Sequence, residues 1–255
     1  MVTRMDKTAD RFAGRTVVVT GAGSGIGRAT AVRIIAEGGR VVAVDVDPTR
    51  LEELVGECGP AAVTTIDGDI TDPAMAQRVV AAVDGPIHGL ANVAGVMDGF
   101  VPPAEVEDAS WERVFSVNVT AVMRLTRAVL PVMIAAGEGA IVNVASEAAL
   151  RSSVAGAAYT ASKHALVGFT GSVAFYHGPQ GVRANTVAPG ATRTNIAARP
   201  SSEYGSAVSR PVIAATMPAA APPEPVAAAI AWLLSDDSLN VNGIVLPSDG
   251  GWSVR

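Results

Sequence analysis

The stretch VVVTGAGSGIGRAT, residues 17–30, decides how the chain is read. A run of β-branched residues ends in a segment with glycine at positions 21, 23, 25 and 27, after which helix-forming residues begin. Glycines between a strand and a helix let backbone approach a phosphate, and the free N–H groups at the helix start favour an anion. The spacing is neither G-x-G-x-x-G, which needs glycine where Ile26 stands, nor a P-loop, since Gly27 is followed by Arg28 and Ala29. What remains is T-G-x-x-x-G-x-G, formed by Thr20, Gly21, Gly25 and Gly27, with Ser24 and Ile26 inside the turn.

Working outward, the pattern of strand then helix repeats. β-Branched runs stand at 16–20, 41–46, 62–66, 87–93, 140–145, 182–188 and 244–246. Helix-length segments lie between them at 25–37, 48–57, 73–83, 110–136, 159–177 and 224–234. The strands read as continuous apolar runs, as expected when helices cover both faces of a parallel sheet. The expectation is an α/β fold: a doubly wound, seven-stranded parallel sheet in one domain spanning 15–255, preceded by a tail at 1–14. The segment 190–223, rich in proline and alanine, shows no period; it is expected to be an irregular, mobile lid.

Composition narrows the function. Of 255 residues, 49% are hydrophobic and 17% charged, with a net charge of −5. That balance argues for a globular protein and against nucleic acid or an anionic membrane as partner. The single cysteine, Cys58, permits no internal disulfide, and the start lacks an apolar signal region. The expectation is a soluble cytoplasmic protein.

In a doubly wound sheet, ligands bind at the carboxyl ends of the strands. The second strand ends in Asp45, 24 residues after Gly21. A carboxylate there accepts hydrogen bonds from adenosine ribose hydroxyls and repels a 2′-phosphate, which points to NAD rather than NADP. Asp47, just ahead of Pro48, reads instead as a helix cap. Further on, YTASK places Tyr159 and Lys163 four apart, on one face of a predicted helix. Of 19 basic residues, 17 are arginine; Lys163 is the one lysine outside the tail. An ammonium beside a phenol favours the phenolate and brings an acid–base group toward neutral pH.

These motifs make the chain resemble the short-chain dehydrogenase/reductase family, in its classical subtype, from Arg15 to Gly251. The resemblance implies that the T-G-x-x-x-G-x-G turn cradles NAD. It implies that Asp69 and Ile70 lie beside the adenine, and that Asn92, Ala94 and Gly95 of NVAG close the fourth strand against the cofactor. Pro189, Gly190, Thr192 and Thr194 of PGATRT are similar to the segment that holds the nicotinamide carboxamide. Asn118, Ser146, Tyr159 and Lys163 match the family's catalytic set. By that resemblance, Tyr159 takes the proton of a secondary alcohol while hydride passes to NAD⁺. Ser146 holds the oxygen, Lys163 binds the ribose and lowers the Tyr159 pKa, and Asn118 holds a relay water. A homotetramer is the family's usual assembly, joined through the helices at 110–136 and 157–177.

Other conspicuous residues read as structural. His88, His164 and His177 form no metal-ligand cluster, and Trp111 and Trp232 sit in apolar helix stripes. Glu147, directly after Ser146, either meets substrate or is a solvated or capping carboxylate. Two further readings stay open. One is a 3-oxoacyl-carrier-protein or acyl-CoA reductase, for which Arg151, Arg193 and Arg199 would supply rim charges. The other is a dinucleotide-binding protein without catalysis. Val212, Ile213 and Met217 make the lid segment apolar, which favours a medium-sized apolar alcohol or ketone over a sugar.

Overall fold

Val17 and Val19 bury their side chains in one apolar cluster, while Val18 between them belongs to another. A strand with apolar residues on both sides must be covered on both faces, and the sheet built from such strands is. The computed structural model describes residues 10–196 and 200–255. The strands are β1 (Thr16–Thr20), β2 (Arg40–Asp45), β3 (Val63–Asp67), β4 (Gly89–Asn92), β5 (Gly139–Val144), β6 (Val182–Pro189) and β7 (Val245–Ser248). They form one sheet in the order β3-β2-β1-β4-β5-β6-β7, with every pairing parallel. The order reverses between β1 and β4, so a crevice opens there at the carboxyl edge.

The helices are α1 (Gly25–Ala36), α2 (Pro48–Cys58), α3 (Met75–Ala81), α4 (Asp108–Phe115), α5 (Val122–Ala136), α6 (Ala157–His177), α7 (Glu203–Thr216) and α8 (Glu224–Leu234). Ile34, Leu51, Leu54, Ile230 and Leu233 bring α1, α2 and α8 onto one face. Met75, Val79, Leu125, Val129, Met133 and Val173 bring α3, α5 and α6 onto the other. Asp47 caps α2 as expected, accepting from the Thr49 amide at 3.0 Å, with Pro48 at the first helical position. The helix expected at 110–136 is interrupted by a π-helical turn over Ser116–Ala121. Such a widened turn frequently marks a functional site, and Asn118 lies in it.

Two expectations are corrected here. Residues 10–14 are not a tail. Phe12 is fully buried in the core, and Arg11 pairs at 2.6 Å with Glu37, a carboxylate with no exposure that also pairs with Arg33. The first nine residues lie outside the described part of the chain. The segment 190–223 is not wholly irregular: among its described residues, α7 occupies 14. Pro200, Gly205 and Pro211 hide its periodicity, since an interior proline normally breaks a helix at about 3 kcal/mol. Ser202 offsets part of that by capping the start, its hydroxyl accepting from the Gly205 amide at 2.8 Å. The ends of the excursion are pinned together: Arg193 donates to Ala221 at 2.8 Å, and Ala221 to Ala191 at 2.9 Å.

His88, just before β4, fastens the start of β1. Its Nδ1 accepts from the Thr16 amide at 3.0 Å, and its own amide donates to the Thr16 carbonyl at 2.9 Å. Burial pulls the imidazole below its ordinary value of 6.5, assisted by Arg15 and opposed by Glu138. The neutral ring is therefore the form the fold selects. Its contribution is complete above pH 6.5 and declines as pH falls below that value, where the unfolded chain takes the proton first. Melting temperature should drop between pH 7 and 5.5 more steeply for the wild type than for His88→Gln. Parallel curves for the two proteins would show that His88 does not set this dependence.

Candidate active site

Six strands deliver their carboxyl ends to one open cavity of about 610 Å³. Gly21 to Gly27 enter it from the β1–α1 turn, Asp45 from β2 and Asp69 with Ile70 from beyond β3. Ala94 and Gly95 follow β4, Ser146 follows β5, and Pro189 ends β6. Tyr159 and Lys163 reach it from α6.

The glycine turn is built by contact as much as by flexibility. A Cβ on Gly27 would lie 2.0 Å from the Gly21 carbonyl oxygen, so α1 can start this close to β1 only with glycine there. Thr20 locks the neighbouring loop: its hydroxyl accepts from the Val93 and Ala94 amides at 3.0 and 3.2 Å. Ser24, at the start of α1, makes no capping hydrogen bond through its side chain. The helix start is thus open to the cavity and suited to a phosphate. At the far end the Asp45 carboxylate, 7% exposed, accepts from the Gly23 amide at 2.8 Å and the Asp47 amide at 3.0 Å. Arg50, the first cation after it, is drawn to Asp47 at 3.1 Å. These features fit a dinucleotide: amides for the pyrophosphate and a fixed carboxylate for a ribose.

Of the residues expected to bind cofactor, Gly21, Ser24, Gly25, Ile26, Gly27, Asp45, Asp69, Ile70, Ala94, Gly95, Tyr159, Lys163, Pro189, Gly190, Thr192 and Thr194 all line the cavity. Asn92 does not. Its amide turns away and donates to Asn143 at 2.8 Å, and Asn143 donates to Thr170 at 2.8 Å. This buried polar chain ties β4 to β5 and β5 to α6, because amides placed mid-sheet must find partners there.

Tyr159, Lys163 and Ser146 face the cavity, with Asn118 just behind its wall. Burial pushes the Tyr159 phenol up to about 12; a hydrogen bond with Ser146 opposes this and the charge of Asp98 adds to it. Burial pulls the Lys163 amine down to about 8. Its Nζ donates to the Val144 carbonyl at 2.9 Å and stands 5.4 Å from the Tyr159 ring centre. In this structure desolvation dominates the phenol, and Ser146 is the group that works against it. Asn118, 1% exposed, accepts from the Val96 amide and donates to the Val96 carbonyl and to Ser162. It clamps the loop after β4. Ser162 in turn donates to the Tyr159 carbonyl at 2.7 Å, a link between Asn118 and α6 that residue types alone did not reveal.

Glu147 takes a different place from either expected. It is 1% exposed and pairs with Arg151, neither lining the cavity nor meeting solvent. Burial raises its pKa, Arg151 opposes, and Asp249 adds to the rise. Arg151 also lies over the Trp252 ring at 5.4 Å and donates to the Arg255 carbonyl at 3.0 Å. The pair therefore fixes the C-terminal turn. Trp252, 6% exposed, forms a wall of the cavity, and its Nε1 donates to Thr216 at the end of α7. Trp252 had no distinguishing signal in sequence, since Thr216 and Arg151, which hold it, lie 36 and 101 positions away.

Much of the rest of the lining is apolar, although Arg113 and Asn195 also reach it. Val96, Met97, Phe100, Val154, Ile213 and Met217 contribute to the apolar part. Val212 does not; it points outward from α7 at 39% exposure. Arg151 is committed to Glu147, and Arg193 to the Ala220 carbonyl at 2.7 Å; Arg199 lies outside the described residues. Among the described residues no group of histidine, cysteine and acidic side chains could hold a metal ion.

Comparison with known proteins agrees with this geometry. The family model for short chain dehydrogenase matches residues 15–205. A 3beta-hydroxysteroid dehydrogenase 2 of Eggerthella lenta is 38% identical, over 95% of this chain and 96% of its own. The crystal structure of levodione reductase superposes with a TM-score of 0.86 at 35% identity, covering 96% of this chain and 99% of that one. A putative NAD(P)-dependent gluconate 5-dehydrogenase from Beutenbergia cavernae, with bound NADP at low occupancy, gives 0.85 at 33% identity over 97% and 100%. A glycine turn that opens a helix onto a cavity, a tyrosine and a lysine buried together on α6, and a match across most of the chain lead to one conclusion: the protein is an oxidoreductase of the short-chain dehydrogenase/reductase family.

Proposed function

We propose that this enzyme interconverts a medium-sized, largely apolar secondary alcohol and its ketone, with NAD(H) preferred over NADP(H). The observation that carries the reading is the contrast inside the cavity. Two hydroxyls, Ser146 and Tyr159, stand in a wall of Val96, Met97, Phe100, Val154, Ile213, Met217 and Trp252. A sugar bound there would leave several hydroxyls unpaired, at about 1–3 kcal/mol each. A carbonyl on an apolar skeleton needs only Ser146 and Tyr159. The names of two relatives, a levodione reductase and a 3beta-hydroxysteroid dehydrogenase, support a substrate of this kind.

A bound nicotinamide supplies the hydride donor or acceptor in this family's chemistry. The chain's own residues handle the proton. Tyr159, held protonated near neutral pH by its burial, donates to the ketone oxygen in reduction and recovers the proton in oxidation. Ser146 orients that oxygen through its hydroxyl. Lys163 carries a compact, adjustable charge beside the phenol, which an arginine could not reproduce. Asn118 fixes the loop that carries Gly95 and Val96.

The preference for NAD rests on Asp45. Its carboxylate is fixed by two amides and faces the cavity, and Arg50 is engaged by Asp47. A 2′-phosphate beside it would set like charges together in a partly desolvated site. The carrier-protein or coenzyme A reading lacks comparable support, because Arg151 is paired with Glu147 and Arg193 donates to the Ala220 carbonyl. A homotetramer is supported by the apolar side chains left bare on α4 and α6: Trp111 at 40%, Phe175 at 75% and Tyr176 at 68% exposure.

Reduced-nicotinamide absorbance with a panel of cyclohexanone, 2-decalone, a 3-oxosteroid, fructose and gluconate tests the substrate class. Turnover of a cyclic ketone and none of the sugars is expected; the opposite order would overturn it. Tyr159→Phe should bind NAD normally while turnover falls at least ~100-fold, the scale of a lost general acid. The wild-type kcat/KM should favour NAD over NADP by about tenfold or more, and Asp45→Ala should narrow that ratio. Equal efficiency with both cofactors before any substitution would remove Asp45 from the ribose site.

A further inference from the structure

The turn after β4 contains a carboxylate that none of the motifs includes. Asp98 is 6% exposed, yet no basic side chain pairs with it among the described contacts. One of its oxygens accepts from the Tyr159 amide at 2.9 Å, and the other from the Phe100 amide at 3.3 Å. Tyr159 is the third residue of α6, whose free N–H groups need acceptors. The usual source is a side chain at the cap position, but that position is Gly156, which has none. Asp98 supplies the acceptor from a distance of 61 residues in sequence.

The fit leaves no slack. A Cβ on Gly156 would fall 2.4 and 2.5 Å from the two Asp98 oxygens and 2.5 Å from the Val101 amide. The Ala157 amide, next along α6, donates to the Val101 carbonyl at 2.9 Å. The same short turn carries Phe100, a cavity residue held at φ 62°, a left-handed conformation costly for a bulky side chain. Gly99 accepts from the Ser201 amide at 3.0 Å, just ahead of α7. Residues 98–101 therefore join the cavity wall, the start of α7 and the start of the helix that presents the phenol.

We propose that Asp98 is a positioning residue for Tyr159, holding the first turn of α6 so that the phenol meets Ser146 and the substrate oxygen. The proposal rests on the assignment of Tyr159 as the proton donor and acceptor. Asp98 also acts on the phenol through its charge. The ionisable groups around Tyr159 are Lys163 one turn along α6, Asp98 at the helix start and, beyond Ser146, the Glu147–Arg151 pair. Asp98 disfavours the phenolate. At the Tyr159 amide, position and charge can be separated by substitution: Asn keeps an acceptor there while losing the charge and the acceptor for Phe100, whereas Ala loses all three.

Full-length enzyme is assayed with NADH and 2-decalone, and the phenol is followed by NMR of ¹³Cζ-labelled tyrosine, with Tyr159→Phe providing the assignment. Asp98→Ala should lower kcat at least ~10-fold, as expected for a misplaced reacting group, with the KM for NADH unchanged. Asp98→Asn should restore most of that loss, and its Tyr159 resonance should begin to titrate at lower pH than in the wild type. Wild-type kcat in Asp98→Ala would overturn the positioning role. An unmoved Tyr159 titration in Asp98→Asn would overturn the charge effect of Asp98 on the phenol; a ~10-fold loss of kcat in Asp98→Asn, which keeps the acceptor for the Tyr159 amide, would overturn the hydrogen-bond account, and this variant decides the matter if the alanine protein does not fold. Should Tyr159→Phe remain active, the acid–base assignment fails, while the NMR titration still tests Asp98 by itself.

Discussion

Every strand of the sheet runs in the same direction, and that constraint organises the rest. A parallel sheet needs a crossover after each strand, so all strand ends of one polarity gather on a single edge. Gly21, Asp45, Asp69, Ala94, Ser146 and Pro189 are separated by up to 168 residues, yet each follows or ends a strand and so meets the others. The order reversal between β1 and β4 then parts the loops and leaves room for a ligand. The site is a consequence of topology before it is a matter of particular side chains.

Within that edge, the chemistry depends on burial. Tyr159 and Lys163 are both largely withdrawn from water, and each is shifted toward its neutral form for that reason. For Lys163 the cost is partly offset by its hydrogen bond to the Val144 carbonyl. A neutral phenol beside an adjustable amine suits the proton transfer proposed above. The Asn92–Asn143–Thr170 chain and the Asn118–Ser162 link keep α6 seated on the sheet, so Tyr159 and Lys163 stay at the cavity formed by the strand ends.

The same economy appears around the substrate wall. Trp252 is held from three directions, by Arg151 over its face, by Thr216 at its nitrogen and by the apolar cluster containing Ala148, Val154 and Tyr159. A cation over an indole contributes about 0.5–2 kcal/mol, and here it also sets the ring's orientation. Glu147 stands next to Ser146 in sequence but serves the opposite side of the loop, steadying the C-terminal turn through Arg151.

The amino-acid sequence by itself determined the parallel sheet, because strands apolar on both sides and alternating with helices admit few other arrangements. It determined the glycine cradle, Asp45 and the Tyr159–Lys163 pair, because their chemistry shows in residue type and short spacing. What lay beyond it were features made by contacts distant along the chain. Phe12 looked like part of a tail because its core partners come from α1 and β2. The helix α7 was hidden by Pro211, a local breaker that capping and docking overrule. The sequence placed Asn92 at the right strand end and could not say which way its amide turns. Asp98 gave no sign of its importance, since its role exists only where the fold brings an uncapped helix start against it. Tertiary structure alone decided these points, because side-chain direction and long-range hydrogen bonding are properties of packed elements and not of the segments that form them.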